Sequence, residues 1–352
     1  MTTSLKKGYG LLFFISILLL SFQNTEAQKN GIITTARQTE SLNKNWKFHL
    51  GSANNPEKDF SYGIVRNFTI AGGGGGAVSP KFDDSKWRTV NVPHDWAVEL
   101  PFEYHKHFDV QSHGYRPVGG FYPENSVGWY RKRFNVDKEK EGQRFVLRFE
   151  GVYRDFKLFV NNNYIGGNFG GYTESSFDIT DFIEFDKENL IVLRVDATQY
   201  EGWFYEGAGI YRNVALETFT PVHIPEYGVY VYAKVEKSQA KVVAQTTVKN
   251  QEGKTAECTV SSYVMDAKGT QVTPTRTEKL KIKNNETQQV EQNFSIKNPL
   301  LWGFNTPNLY RLVSIVKKDG KIIDTLSTEF GVRTFDYNAT TGFSLNGESM
   351  KI

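Results

Sequence analysis

Apolar and polar positions alternate with a period of two through most of this chain, in short runs divided by turn residues. The cleanest run is Gly228 to Val235 (GVYVYAKV), with Val229, Val231, Ala233 and Val235 on one face and Tyr230, Tyr232 and Lys234 on the other. That period belongs to a β-strand covered on one side only. Further runs follow at Lys241 to Val248, Thr259 to Met265, Val272 to Lys283, Gln288 to Ile296, Leu309 to Val316 and Ile322 to Thr328, and Asp- and Asn-containing glycine turns divide several of them. About seven short strands in ~110 residues predict an immunoglobulin-like β-sandwich, here without a cysteine pair.

Upstream, the stretch from Arg144 to Arg212 holds strand patterns at Phe145 to Phe149, Lys157 to Val160 and Leu190 to Val195. Asn161-Asn162-Asn163 supplies a tight connection, because Asn tolerates positive φ better than other residues with a Cβ. Asn45 to Leu50, within the opening segment Leu42 to Leu50, and Gly128 to Phe134 read as further strands, and no amphipathic helix longer than two turns stands out between residues 40 and 220. An all-β sandwich of the jelly-roll kind is expected there. Pro221 and Pro225 mark the change of texture between the two sandwiches. The predicted domains are residues 40–220 and 221–335, with 336–352 left over and Asn346-Gly347 at a hairpin turn within it.

Residues 1–27 are of another kind. Lys6 and Lys7 precede an apolar run from Leu11 to Leu20, and Thr25-Glu26-Ala27 ends in small residues suited to cleavage after Ala27. This is a secretory signal peptide, its core shorter than the ~20 residues of a membrane span. Export to the periplasm or the exterior is expected, with no membrane association after cleavage. A lone cysteine, Cys258, excludes an intrachain disulfide framework and reads as a buried small hydrophobe. A net charge of +3 spread over both signs gives no nucleic-acid footprint.

Candidate chemistry is sparse. His94 and Asp95 are neighbours on an extended segment, so their side chains point to opposite faces and structural pinning is the better reading. His105, His107 and His113 follow no metal-ligand template, and no metal or cofactor is expected. The glycines of Ala71 to Ala77 (AGGGGGA) lack a surrounding βαβ pattern and read as a surface loop.

Several stretches together resemble glycoside hydrolase family 2, the β-galactosidase-like enzymes: Val92-Pro93-His94-Asp95-Trp96, Gly128-Trp129-Tyr130-Arg131, Phe177-Asp178-Ile179-Thr180, Leu193-Arg194-Val195-Asp196, Gly207-Ala208-Gly209-Ile210-Tyr211-Arg212, Pro299-Leu300-Leu301-Trp302 with Pro307-Asn308-Leu309-Tyr310, and Phe330-Gly331-Val332-Arg333. The resemblance implies a jelly-roll sugar-binding domain, an immunoglobulin-like domain and a (β/α)₈ TIM barrel that carries two catalytic glutamates for retaining hydrolysis. On this resemblance residues 336–352 are expected to be the first hairpin before that barrel, with the barrel itself missing from this sequence. No catalytic residue is therefore expected in it, and Glu150, Glu201, Glu206 and Glu257 match no catalytic motif of the family.

What the resemblance leaves to this chain is the rim of a sugar site. Asp196 ends its strand where relatives reach the terminal sugar, and Trp203 and Tyr205 lie in the loop that follows. The implied role is the non-catalytic N-terminal part of an exported retaining exo-β-glycosidase of the β-galactosidase type, inactive alone. Its partner would be a β-galactoside-like glycan once a barrel completes the site. The competing reading is a stand-alone carbohydrate-binding or adhesion protein without hydrolase activity.

Overall fold

The computed structural model describes residues 37–62, 75–104, 116–199 and 206–351. The signal peptide predicted over residues 1–27, the His105–His113 cluster and Trp203 and Tyr205 lie outside the described residues. Contacts divide the chain at Pro221/Val222 into two units, and the elements described in both are antiparallel strands and, in the first, short 3-10 turns.

The first unit contains β1 (Gln38–Ser41), β2 (Trp46–Leu50), β3 (Arg88–Val90), β4 (Val127–Asn135), β5 (Arg144–Phe149), β6 (Phe156–Val160), β7 (Asn163–Asn168), β8 (Ser175–Asp178), β9 (Glu188–Asp196) and β10 (Val214–Phe219). They form a four-stranded sheet, β1-β10-β5-β8, and a six-stranded sheet, β3-β2-β4-β9-β6-β7. Phe145, Leu147 and Phe149 from the first sheet meet Phe156, Leu158, Leu193 and Val195 from the second in one buried cluster. The three asparagines behave as their chemistry predicts: Asn161 and Asn162 take φ of +49° and +70° and turn β6 into β7.

The six-stranded sheet is buried on its outer face as well. Tyr62, Ala77, Val78 and Trp87, from the connection between β2 and β3, cover Trp129, Phe159, Leu190 and Val192. Part of the glycine run belongs to this cover: at Gly76, φ is +61° and a Cβ would lie 2.5 Å from the Phe60 carbonyl oxygen, so only glycine fits. The loop reading of the run thus needs correction at its end, where Ala77 and Val78 are buried.

One side chain anchors the cover. Arg131, on β4, is 1% exposed. Its Nε donates to Asp84 Oδ2 at 2.7 Å, and its Nη1 donates to the carbonyls of Ala77 and Ser79. Arg133 Nη1 donates to the same Asp84 oxygen at 2.6 Å, and the rings of Phe82 and Trp87 lie against the Arg131 guanidinium.

The second unit contains β11 (Val222–His223), β12 (Val229–Glu236), β13 (Gln239–Asn250), β14 (Ala256–Met265), β15 (Arg276–Ile282), β16 (Thr287–Lys297), β17 (Tyr310–Lys318) and β18 (Lys321–Phe330), followed by a meander of β19 (Phe335–Asn338), β20 (Gly342–Leu345) and β21 (Glu348–Met350). One sheet runs β11-β13-β12 with β16 on the other side of β13, and the other runs β15-β14-β17-β18. The run expected from Val272 becomes a strand only at Arg276. Pro274 has no N–H for the ladder, and Thr273 turns its hydroxyl to the Val264 N–H at 2.9 Å. Cys258 is buried, and that burial holds its thiol above the ordinary value.

The core of this sandwich is layered. A cluster with Val248, Val260, Val290 and Val316 is separated from one with Ala244, Val264, Phe294 and Leu312. Between them lie buried Thr246, Ser262, Gln292 and Ser314. Ser262 donates to Ser314 at 3.3 Å, and Gln292 Nε2 donates to the Val260 and Arg276 carbonyls at 3.3 and 3.1 Å.

Replacing Arg131 with Met strands a buried Asp84 carboxylate with Arg133 as its remaining cation. The expected loss is about 3–5 kcal/mol, read as a lower denaturant midpoint for the first unit's transition. Burial pushes Asp84 upward, but the hydrogen bonds and charges of Arg133 and Arg131 outweigh it and hold its carboxyl below 3.8. The stability it contributes is thus present above the ordinary aspartate value and lost as pH falls through the folded value. Wild type should show this acid limb, and Asp84→Asn should flatten it.

Candidate functional site

Two places combine side chains of the kinds a functional site needs, and they lie at different parts of the first unit. The first is built on the segment 92–99. His94 donates its backbone N–H to Ile210 O at 2.7 Å and Trp96 donates to Ala208 O at 2.9 Å, while Asp95 Oδ1 accepts from the backbone N–H groups of Ala97 and Ala208. The His94 and Asp95 side chains therefore diverge. Nδ1 of His94 is 2.7 Å from the Tyr130 hydroxyl, and Nε2 is 3.2 Å from Glu99 Oε1, with Arg88 Nη2 3.0 Å from Nε2. Burial lowers the His94 pKa, opposed by Glu99 and assisted by Arg88, and burial lifts Tyr130 far above its usual range. The imidazole is neutral and the phenol protonated at pH 7. This arrangement fastens segment 206–210 to the sheet, and Tyr211 extends the fastening by donating its hydroxyl to Gly171 O at 2.7 Å.

The second place is a cleft of about 280 Å³ on the outer face of the six-stranded sheet. Alternation decides which side chains reach it: Val195 points into the inner core, so Arg194 and Asp196, on either side of it, point outward. On β6, Lys157 stands directly opposite Arg194, and the Asp196 N–H is bonded to Asp155 O. A row of two cations therefore lies beside a row of two carboxylates. Like charges facing each other across strands repel, and each cation is neutralised locally. Lys157 Nζ is 2.6 Å from Asp155 Oδ1; Arg194 Nη1 is 3.1 Å from Asp196 Oδ2, and its Nε is 3.0 Å from Asp59 Oδ2.

Asp59 forms the floor. It also accepts from Trp129 Nε1 at 2.7 Å, and burial raises its carboxyl pKa against the pull of Arg194 and Trp129. The walls are aromatic: the Arg194 guanidinium lies 4.8 Å from the Tyr62 ring centroid and Lys157 Nζ lies 4.5 Å from that of Phe169. Phe169 itself is 69% exposed.

Asp196 is the one predicted site residue within the described structure. Its Oδ1 accepts from both the backbone N–H and the hydroxyl of Thr198, at 3.0 and 2.6 Å, a turn-capping arrangement, while its Oδ2 meets Arg194. The sequence reading missed Asp59, Asp155, Lys157, Phe169 and Arg194. A charge inside an apolar strand was the available signal for Lys157 and Arg194. Nothing local marks Asp59, which meets Arg194 from 135 positions away. No group of three or more His, Cys, Asp or Glu side chains suited to a metal ion occurs among the described residues.

Both units match described families. Residues 39–221 match "Glycosyl hydrolases family 2, sugar binding domain" and residues 222–333 match "Glycosyl hydrolases family 2". The chain belongs to glycosyl hydrolase family 2. The β-galactosidase BoGH2A of Bacteroides ovatus is 35% identical over 322 residues, covering 91% of this chain and 34% of that protein. A β-glucuronidase of Formosa agariphila is 29% identical, covering 91% of this chain and 32% of its own length. Among solved structures, a β-glucuronidase from glycoside hydrolase family 2 aligns with a TM-score of 0.76 at 27% identity, over 91% of this chain and 33% of the other. A family 2 member from Bacteroides cellulosilyticus aligns at 0.73 and 28%, over 89% of this chain and 39% of the other. The chain thus spans about a third of the length of the curated relatives it matches.

His94 gives a pH prediction. Its folded pKa lies below the ordinary 6.5, so the unfolded chain takes up the proton first as pH falls. Its contribution to stability is complete above about 6.5 and declines as pH drops from there toward the folded value. Unfolding midpoints measured between neutral and mildly acidic pH should fall in wild type and fall less steeply in His94→Gln.

Proposed function

We propose that this chain supplies the non-catalytic, sugar-facing part of an exported retaining exo-β-glycosidase of the β-galactosidase type, and that it does not hydrolyse glycosides alone. The observation that carries this reading is the pair of adjoining family matches, sugar-binding domain first, over a chain that covers about a third of its relatives. Retaining hydrolysis requires two carboxyl groups about 5 Å apart, one as acid and one as nucleophile. The two cleft carboxylates that meet Arg194, those of Asp196 and Asp59, are each bonded to its guanidinium, which engages them as partners of a cation rather than as an acid and nucleophile pair.

In this reading Asp196 fixes the strand end from which Trp203 and Tyr205 reach the sugar, and the barrel of the complete enzyme supplies the opposing wall. The preference for galactoside over glucuronide rests on the resemblance alone, since relatives of both kinds match at similar coverage. Residues 1–27 serve as the export signal, and the mature protein begins at Gln28.

The purified chain is expected to release no chromophore from aryl β-galactosides or aryl β-glucuronides beyond the buffer control. Turnover abolished by a point change within residues 37–351 would sink the proposal. N-terminal sequencing of secreted material should read from Gln28, an intact Met1 there would remove the cleavage reading, and absence of the protein from the exported fraction would remove the export reading.

A further inference from the structure

We infer that the outer cleft of the first unit is a sugar subsite in its own right, which seats one neutral pyranose residue without help from any other domain. The inference rests on the reading above that this unit handles sugars, and goes beyond it by locating a second place where it does so. Among the described residues, those that line the cleft all belong to the first unit.

Three features select the ligand. The first is size: about 280 Å³ is at the lower end of small-molecule sites, enough for one ring and too little for an extended chain. The second is the pairing of donors with acceptors. A pyranose presents adjacent hydroxyls, each of which donates one hydrogen bond and accepts others. Asp155 binds Lys157 through Oδ1, and among the described residues no bond reaches its Oδ2. Lys157 has further N–H groups beyond that one bond. An acceptor and a donor thus stand side by side, as a vicinal diol requires. Phe169 completes the set: its exposed ring gives the C–H face of a sugar an apolar surface to stack on.

Charge decides between a neutral and an acidic sugar. Asp59, Asp155 and Asp196 outnumber Lys157 and Arg194, and both cations are already bound to carboxylates. A uronate would have to displace one of these partners or accept repulsion from them, whereas a neutral ring adds hydrogen bonds without disturbing either pair. A bare metal ion is a poor occupant for the same reason, since the oxygens nearest the floor are held by Arg194 and Thr198.

The test titrates the purified chain with methyl β-galactoside, methyl β-glucoside and glucuronate, using calorimetry and saturation-transfer NMR. Phe169→Ala and Asp155→Asn probe the cleft, while Trp203→Ala and Tyr205→Ala probe the loop proposed to face a barrel. Phe169 is exposed, and Asp155 sits at a positive φ of +31° that Asn tolerates, so both cleft variants should fold, which far-UV circular dichroism checks. Saturable binding of a neutral methyl glycoside is expected, weakened about tenfold by either cleft substitution. Absence of saturable binding overturns the inference while leaving the proposed role of the chain standing. Binding that survives both cleft variants but disappears in Trp203→Ala or Tyr205→Ala also overturns it, and assigns the sugar to the rim instead. Tighter binding of glucuronate than of either neutral glycoside overturns the charge argument and the inference with it.

Discussion

The first unit depends on a guanidinium that solvent does not reach. A sheet buried on both faces needs a second cover, and here the described residues of the cover lie in the connection between β2 and β3, outside any ladder. Arg131 supplies what the ladder does not, by donating to two carbonyls of that connection and to Asp84. Removing a charge from water is costly unless its geometry is fully used, so the cover and the arginine require each other. Without the cover, Arg131 would be an unpaired charge on an apolar face; without Arg131, the segment around Ala77 would lose its main tie to β4.

The cleft extends the same construction one strand further. Arg194 on β9 reaches the cover through Asp59, as Arg131 on β4 reaches it through Asp84. Trp129 stands opposite Arg194 in the pairing of β4 with β9 and donates to the same Asp59. The strand register therefore sets the positions of the cleft's charges, and the cover closes one side of it. Binding and folding share residues here, so Asp59 is a poor position at which to separate them, while the exposed Phe169 and the single-partner Asp155 are better ones.

Much of the fold could be read in the sequence, because alternation with a period of two survives wherever one face of a strand is wet. Val229 to Val235 shows this, and so do the Asn161–Asn162 and Asn346–Gly347 turns, whose positive φ values follow from residue type. The pattern fades in β9, where both faces are buried and Leu190 to Leu193 are apolar in succession. Pro274, which has no N–H for a ladder, delays the start of β15 to Arg276. The site was less legible. Asp196 is marked only by the family resemblance, and its carboxylate is engaged by Thr198 and Arg194. Asp59 and Tyr62 arrive through long-range packing of the cover, which leaves no local trace.

The polar layer inside the second unit bears on how its strands find one another. A uniformly apolar sandwich core is nearly indifferent to a slip of two residues along a strand, because each inward side chain is replaced by another apolar one. Here every such slip on β13, β14, β16 or β17 moves Thr246, Ser262, Gln292 or Ser314 into an apolar stratum and leaves its hydrogen-bonding groups stranded there. Mispaired folding intermediates are thereby penalised at four strands simultaneously, in a domain that has no disulfide to correct its alignment.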